Sequence, residues 1–296
     1  MSKNGYRGRS KETLELLQAC KKIIEAVQPI TVRGVCYRLF VAGLIDSMAK
    51  TNTQKISRLL VWAREEGLVP WESIVDESRQ MERASQWRDL ESYGRVIEAS
   101  YRRDFWAHQK NQVIVISEKA TVAGILRPVL DEYGVTFFPV HGFNSATKMH
   151  DLAEQIGKAG DRQHFILLYV GDRDPSGMYM SEIDLPERLK RYGANDFEEW
   201  IGKSFDLERI ALLDDDTDDL PSFEAKENDP RYRWYVEKYG EDAWELDAMD
   251  PNELRDRVEE AINEYIDSDD WEQHKNIETT QRETTKRIAA TMAGAK

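Results

Sequence analysis

Three short apolar runs, "QVIVIS" (112–117), "VTFFPV" (135–140) and "HFILLYV" (164–170), constrain this chain more than any other feature. Each is rich in β-branched and aromatic residues and reads as a buried strand. The intervening stretches 120–132 and 145–158 read as helices. Strand and helix alternate, so the expectation is an α/β domain with a parallel sheet. In open parallel sheets, ligands gather at the carboxyl ends of the strands. The first run ends at Glu118, and the third runs into "YVGDRDPSG" with Asp172 and Asp174. If those two strands are neighbours, three carboxylates meet at one edge. Left unneutralised, they would repel and raise each other's pKa. A hard divalent cation removes that conflict, and ligands that are all oxygen favour Mg²⁺ or Mn²⁺ over zinc. Pro175 and Gly177 suit a tight turn leading the chain away.

The front of the chain follows a different pattern. Lys11–Val27 is amphipathic, with Leu14, Leu17, Ile23 and Ile24 near helical spacing, and Pro29 closes it. Thr31 can cap a second helix with the apolar stripe Val32, Val35, Cys36, Leu39 and Phe40, ending near Gly43. Thr51 or Thr53 opens a third, with Ile56, Leu59, Leu60 and Ala63 inward and Lys55, Arg58, Trp62 and Arg64 outward. "LVPWESIVDES" mixes apolar and polar residues as a two-stranded wing would. Three short helices and a hairpin suggest a winged helix-turn-helix whose third helix enters a DNA groove, through Lys55, Arg58 and Arg64. A helical bundle used for protein contacts is the alternative. Charge bears on this choice. The whole chain is −14, yet residues 1–64 hold 12 Lys and Arg against 4 Asp and Glu. A basic front on an acidic body is compatible with a polyanion held at one end. At 100° per residue, Arg33 and Tyr37 share a face away from the apolar stripe, so Tyr37 is expected to point outward beside a guanidinium.

"SEKATV" resembles the glutamate motif, and "GDRDPSG" the DxD motif, of the TOPRIM domain shared by topoisomerases, primases and some nucleases; "HGFNSAT" lies in the intervening loop. "TVRGVCYRLF" resembles the active-site helix of the A subunit of type IIB topoisomerases and of the related meiotic double-strand-break protein, where Thr-x-Arg-[Asp/Glu]-x-x-Tyr ends in the tyrosine that attacks DNA. Thr31, Arg33 and Tyr37 match, whereas Gly34 replaces the acidic residue and Cys36 a common aromatic. The resemblance spans roughly residues 10–190, and the compact length is most like the short viral and plasmid members called Mini-A. It implies a CAP-like winged-helix domain (1–88) and a TOPRIM domain, the latter placed with an acidic extension at 111–275; the sequence pattern itself adds a charged helical connector (89–110) and a Thr-rich tail (276–296) that reads as a fraying terminal helix. It also implies Mg²⁺-dependent DNA strand cleavage and rejoining. Tyr37 would be the nucleophile, Arg33 the stabiliser of phenolate and phosphate, and Glu118 both a metal ligand with Asp172 and Asp174 and a proton shuttle. Double-stranded DNA, a homodimer sharing its sites between protomers and a separate ATPase subunit are the partners it suggests. Two rivals stand beside it: a TOPRIM nuclease using metal-activated water, similar to the nuclease subunit of the plasmid-defence system Wadjet, and a non-catalytic DNA-binding or recombination partner.

Other features narrow the field. A length of 296 residues suits two domains. The two cysteines, Cys20 and Cys36, form no CxxC, which points away from zinc and disulfides and towards a reducing, cytoplasmic setting. The opening MSKNGYRGRS lacks the apolar core of a signal peptide, and no run approaches the ~20 apolar residues of a membrane span. "WIGKSF" is a false phosphate loop, since Phe197 stands where a glycine is required. "DDDTDD" (214–219) reads as a solvated acidic loop lacking calcium-loop spacing. Glu245 and Asp247 in "WELDAMDP" have two readings, an outer carboxylate of the site or a helix start with a solvated face.

Overall fold

The computed structural model describes residues 10–75, 85–140, 146–159, 162–194 and 204–294. "HGFNSAT" up to Ser145 and the Gly-Lys of "WIGKSF" lie outside them.

The front unit forms as its periodicity predicts. Helix α1 (Lys11–Val27) is capped by Ser10, whose hydroxyl accepts from Thr13 N. A two-residue strand β1 (Ile30–Thr31) leads into α2 (Val32–Val41), capped by Thr31 through Gly34 N at 2.8 Å. Helix α3 (Lys50–Glu65) follows, and Leu17, Cys20, Ile24, Val35, Leu39, Ile56 and Leu60 close the core between the three. Neither threonine opens α3. Ala49 precedes it, and the Thr53 hydroxyl donates back to the Lys50 carbonyl at 3.1 Å.

The expected wing takes another form. A 3₁₀ turn, Trp71–Ser73, follows Pro70, and strand β2 (Ile74–Val75) pairs parallel with β1. No hairpin is formed over 68–75, and 76–78 lie outside the described residues. Pro70 has no N–H to donate to a ladder, which disfavours a continuous strand there. Arg64, expected outward, is buried at 6% exposure with its guanidinium 4.8 Å from the Trp71 ring centroid.

The connector is not one long helix. Helix α4 (Leu90–Ser100) is capped by Asp89 and packs antiparallel against the C-terminal helix α11 (Ser268–Gly294). A Cβ on Gly94 would stand 3.1 Å from the Ala289 carbonyl, so the two backbones approach closely there. Residues 276–294 thus continue a 27-residue helix and are not a separate tail. Arg103 ties the base of this pair, donating to His274 Nδ1 at 2.8 Å, while its backbone N–H donates to Glu278 at 3.0 Å.

The rest of the chain is an α/β domain. Strands β3 (Asn111–Ser117), β4 (Thr136–Pro139), β5 (His164–Val170) and β6 (Phe205–Ala211) form one parallel sheet in the order β4-β3-β5-β6. Alternate residues feed two cores. Val113, Val115, Ile166 and Leu168 pack on α5 (Thr121–Tyr133) and α10 (Pro251–Asn263), and Ile114, Ile116, Phe165 and Leu167 on α6 (Ala146–Ala159) and α8 (Leu185–Arg191). Each fully buried aliphatic side chain contributes about 2 kcal/mol relative to exposure. The chain leaves β3 towards β4 and returns on the other side as β5, so the strand order reverses between β3 and β5. That reversal opens the crevice where ligands bind in such sheets. No described helix is long and apolar enough to cross a membrane.

Candidate functional site

Sheet register brings the predicted acids to one edge. Ile116 pairs with Tyr169, so Glu118 and Asp172 both leave the sheet at the β3/β5 reversal. Asp172 is buried, and its Oδ1 accepts from Leu246 N at 2.7 Å and from Lys119 Nζ at 2.8 Å. Asp174 caps helix α7 (Pro175–Tyr179) by accepting from Gly177 N at 2.7 Å. Pro175 is therefore the first residue of a helix, where its missing N–H costs nothing, and not part of a turn. Gly177 is demanded by sterics, since a Cβ would sit 2.2 Å from the Asp172 carbonyl oxygen. From β6, the Arg209 guanidinium gathers the loop by donating to the carbonyls of Gly171, Ala211, Asp172 and Gly177 at 2.7–3.2 Å.

The electrostatics of these acids differ. Burial, then the neighbouring Asp172 and Asp174, push the Glu118 carboxyl up to about 7. Burial also raises Asp174, with Asp172 adding to it. The positive groups nearest in effect are Lys119 and Arg231 for Glu118, and Lys119 and Lys226 for Asp174. Among the described residues, no three His, Cys, Asp or Glu side chains already stand as a metal cage. Lys119 Nζ is instead held between Asp172 and Asp247, 3.0 Å from the latter. The donor chemistry nonetheless fits Mg²⁺ or Mn²⁺: the set is all oxygen, and burial and mutual repulsion disfavour the charged forms of Glu118 and Asp174, a conflict that a hard cation would relieve.

Glu245 does open a helical turn, the 3₁₀ turn Leu246–Ala248, but neither Glu245 nor Asp247 forms a solvated face, their side chains being 16% and 9% exposed in this site. Trp244 pairs with Arg173 as an antiparallel bridge, with both N–H···O distances 2.9 Å, which delivers residues 245–247 beside Asp172. Asp247 accepts from Thr31 Oγ1 at 2.6 Å as well as from Lys119. Burial raises its pKa, but Lys119 and Thr31 outweigh that and hold it low. Glu245 grips the Arg33 guanidinium with both oxygens, through Nε and, at 2.5 Å, Nη2.

These contacts carry helix α2 onto the acidic edge, and Tyr37 with it. Tyr37 does not point outward: it is 4% exposed, with the Arg33 guanidinium 5.9 Å from its ring centroid. Burial, then Glu245, raise its pKa, and the Arg33 guanidinium partly offsets them. The helical-wheel reading was right that Tyr37 is outside the α1–α3 core. It missed that the 3₁₀ turn Leu246–Ala248 covers the opposite face of α2. Gly34, where the motif has an acid, faces Ile30, and a Cβ would stand 2.8 Å from Ile30 Cγ1. Thr31, Arg33, Lys119, Asp172, Glu245 and Asp247 line one cleft of about 490 Å³ between the front unit and the sheet.

Lys55 and Arg58 are exposed on α3, Lys55 3.3 Å from Glu12, while Arg64 is turned inward against Trp71. The acidic loop is partly tied down, Asp214 to Arg173 and Asp216 to Arg257 at 2.6 Å. Lys119 was missed by sequence reasoning, although its position directly after a strand-terminal acid was a usable signal. Comparison with protein-family models, curated proteins and solved structures gave no match.

Proposed function

We propose that the chain cleaves and rejoins DNA by tyrosine transesterification at a metal-assisted carboxylate edge. The finer fold assignment goes with this reading: a CAP-like winged-helix front unit, here without a hairpin over 68–75, and a TOPRIM sheet domain. The observation that carries it is the docking of the Thr31-Arg33-Tyr37 helix on the acidic edge through Asp247 and Glu245. A helix used only for groove contacts has no need of that position.

Glu118 and Asp174, with Asp172, are the residues that would hold Mg²⁺. When bound, the ion supplies charge neutralisation at a phosphodiester. Tyr37 Oη attacks phosphorus, the P–O3′ bond breaks, and the 3′-oxygen takes up a proton. The products are a 5′-phosphotyrosyl enzyme and a free 3′-hydroxyl, and the ester bond so conserved permits resealing without ATP. A phenol held neutral by burial is a weak nucleophile, so Arg33 must stabilise the developing phenolate.

Double-stranded DNA is the substrate in this reading, approached along Lys55 and Arg58, and a homodimer provides one tyrosine for each strand. The sequence-based reason for sharing sites between protomers was a connector keeping Tyr37 from Glu118. That reason falls away, because α2 reaches the site turn of its own chain. A separate ATPase subunit would be needed only for strand passage.

The test is incubation with supercoiled plasmid and Mg²⁺, followed by detergent and protease, scoring protein-linked breaks. Tyr37→Phe should abolish the adducts. Wild-type cleavage by that variant would establish the second reading, hydrolysis by metal-activated water, which is favoured by the burial of Tyr37.

A further inference from the structure

The two cations that line the cleft, Arg33 and Lys119, are both covered by carboxylates from one short turn, Glu245 and Asp247. A guanidinium fork fits a phosphate in the same two-pronged way that it fits a carboxylate. We infer that Glu245 is an internal stand-in for a DNA phosphate: in the unbound chain it fills the phosphate seat on Arg33 and keeps Tyr37 shut away. This rests on the transesterase reading and adds its regulation.

The two contacts between α2 and the turn are unequal. The Thr31–Asp247 pair is enclosed, the Asp247 side chain being only 9% exposed, and Lys119 holds Asp247 from the other side. Its Thr31 hydroxyl also caps α2 by accepting from Gly34 N, so breaking it would disturb the helix start. The Arg33–Glu245 pair is open on one side: the Arg33 side chain is 47% exposed, that of Glu245 16%. A polyanion approaching the cleft therefore reaches Arg33 first. An ion pair with a solvated partner is worth little against an incoming phosphate. The exchange takes Arg33 off Glu245 while Thr31 keeps its place, so α2, with the α1–α3 core that Val35, Cys36 and Leu39 complete, tilts about Thr31. Tyr37, covered by Arg33, Glu245 and the 246–248 turn, is uncovered by that movement. The free enzyme is silent because its nucleophile is buried, and DNA itself supplies the key. The Arg33 guanidinium thus serves in turn as the lock and the phosphate seat.

The test needs no cleavage. In EDTA, affinity for a short DNA duplex of mixed sequence is measured for wild type, Glu245→Gln and Glu245→Asp, together with amide hydrogen exchange across 32–41. Gln keeps the size but has one neutral acceptor oxygen and an NH₂ that cannot accept; Asp keeps the charge but falls one methylene short of Arg33. Both should bind DNA about tenfold more tightly, as ~1.4 kcal/mol of lost internal competition gives, and both should show faster exchange in α2 before DNA is added. In wild type, DNA should produce the same acceleration. A rise in affinity for Gln alone would mean simple charge removal and overturn the inference, as would unchanged α2 exchange in both variants. Arg33→Lys gives a further check: it should open α2 in the free chain yet weaken DNA binding, and a closed α2 in that variant would count against the lock. If these results hold while no phosphotyrosyl adduct forms with Mg²⁺, the internal stand-in survives and the transesterase reading fails. If adducts form but affinity and exchange do not change, the reverse is true.

Discussion

The two halves of the candidate site are held in different ways. Glu118 and Asp172 stand together because hydrogen-bonded strands in a fixed register put them there, and Gly177 and Arg209 lock the loop that follows. Arg33 and Tyr37 stand where they do because side chains from residues more than 200 positions away hold their helix. The first half is built by backbone and has one arrangement. The second is built by ion pairs and hydroxyls at a domain boundary and can be exchanged for other partners. Under the proposed transesterase reading, that division of labour would keep the metal-holding acids fixed and leave the tyrosine helix free to move.

The largest effect is expected from the backbone-built half. Asp172→Ala should abolish metal-dependent cleavage, and because it strands Leu246 N and leaves Lys119 with Asp247 alone it should also cost on the order of 2 kcal/mol of stability. Asp174→Ala, which removes a helix cap but also a carboxylate strained by its neighbours, should cost about 1 kcal/mol or less. Thermal melts of the two variants in EDTA check the contrast; equal losses would erase it.

Subunit mixing probes the other half. If sites work as assembled within one chain, heterodimers of Tyr37→Phe with Glu118→Ala contain no complete site and should not nick supercoiled DNA. Nicking that returns after mixing would show that α2 crosses to the other protomer.

A smaller effect comes from pH. Glu118 titrates near 7 when folded against 4.5 in its ordinary state. Between those values the folded chain retains a proton that the unfolded chain has released, so stability falls as pH rises through the window. The fall should be on the order of 2 kcal/mol for a partly buried carboxyl. Melting temperature followed in EDTA should decline across the window in wild type and stay flat at this step in Glu118→Gln, and Mg²⁺ should reduce the wild-type decline.

The smallest effect belongs to the exposed face of α3. Arg58→Glu should weaken DNA binding a few-fold for all sequences, most at low salt. Titration at two ionic strengths measures it, and indifference to salt would remove α3 from the DNA-facing surface.

Much of this molecule could be read from its sequence where neighbours along the chain decide the outcome. The 17-residue α1, the Thr31 cap and three strand ends follow from periodicity and local hydrogen bonding. The failures share a different cause. A helical wheel knows one buried face of α2 and so places Tyr37 at the surface; the second buried face is supplied by residues 246–248. The 89–110 segment and the tail looked independent because nothing in either announces that Gly94 will meet Ala289. Glu245 and Asp247 stayed ambiguous because the bridge that delivers them, Arg173 to Trp244, joins segments with no shared pattern. Arg64 was misplaced by a single stacking partner, Trp71, just past its own helix.

The strand order has a consequence for the newborn chain. β5 lies beside β3 on the side away from β4, so Glu118 and Asp172 remain strangers until the crossover through α6 has closed. Parallel pairing of that kind is slow to form, since a long loop must be ordered before any contact rewards it. During synthesis the front unit, with Tyr37, is the first to emerge, the acids assemble second, and Glu245 and Asp247 arrive last. For an interval on the ribosome the tyrosine helix therefore lacks its cover, but the acidic edge is equally incomplete, lacking the Asp247 that holds Lys119. Order of appearance thus delays the joining of the tyrosine helix to the acidic edge until the 245–247 turn has been made.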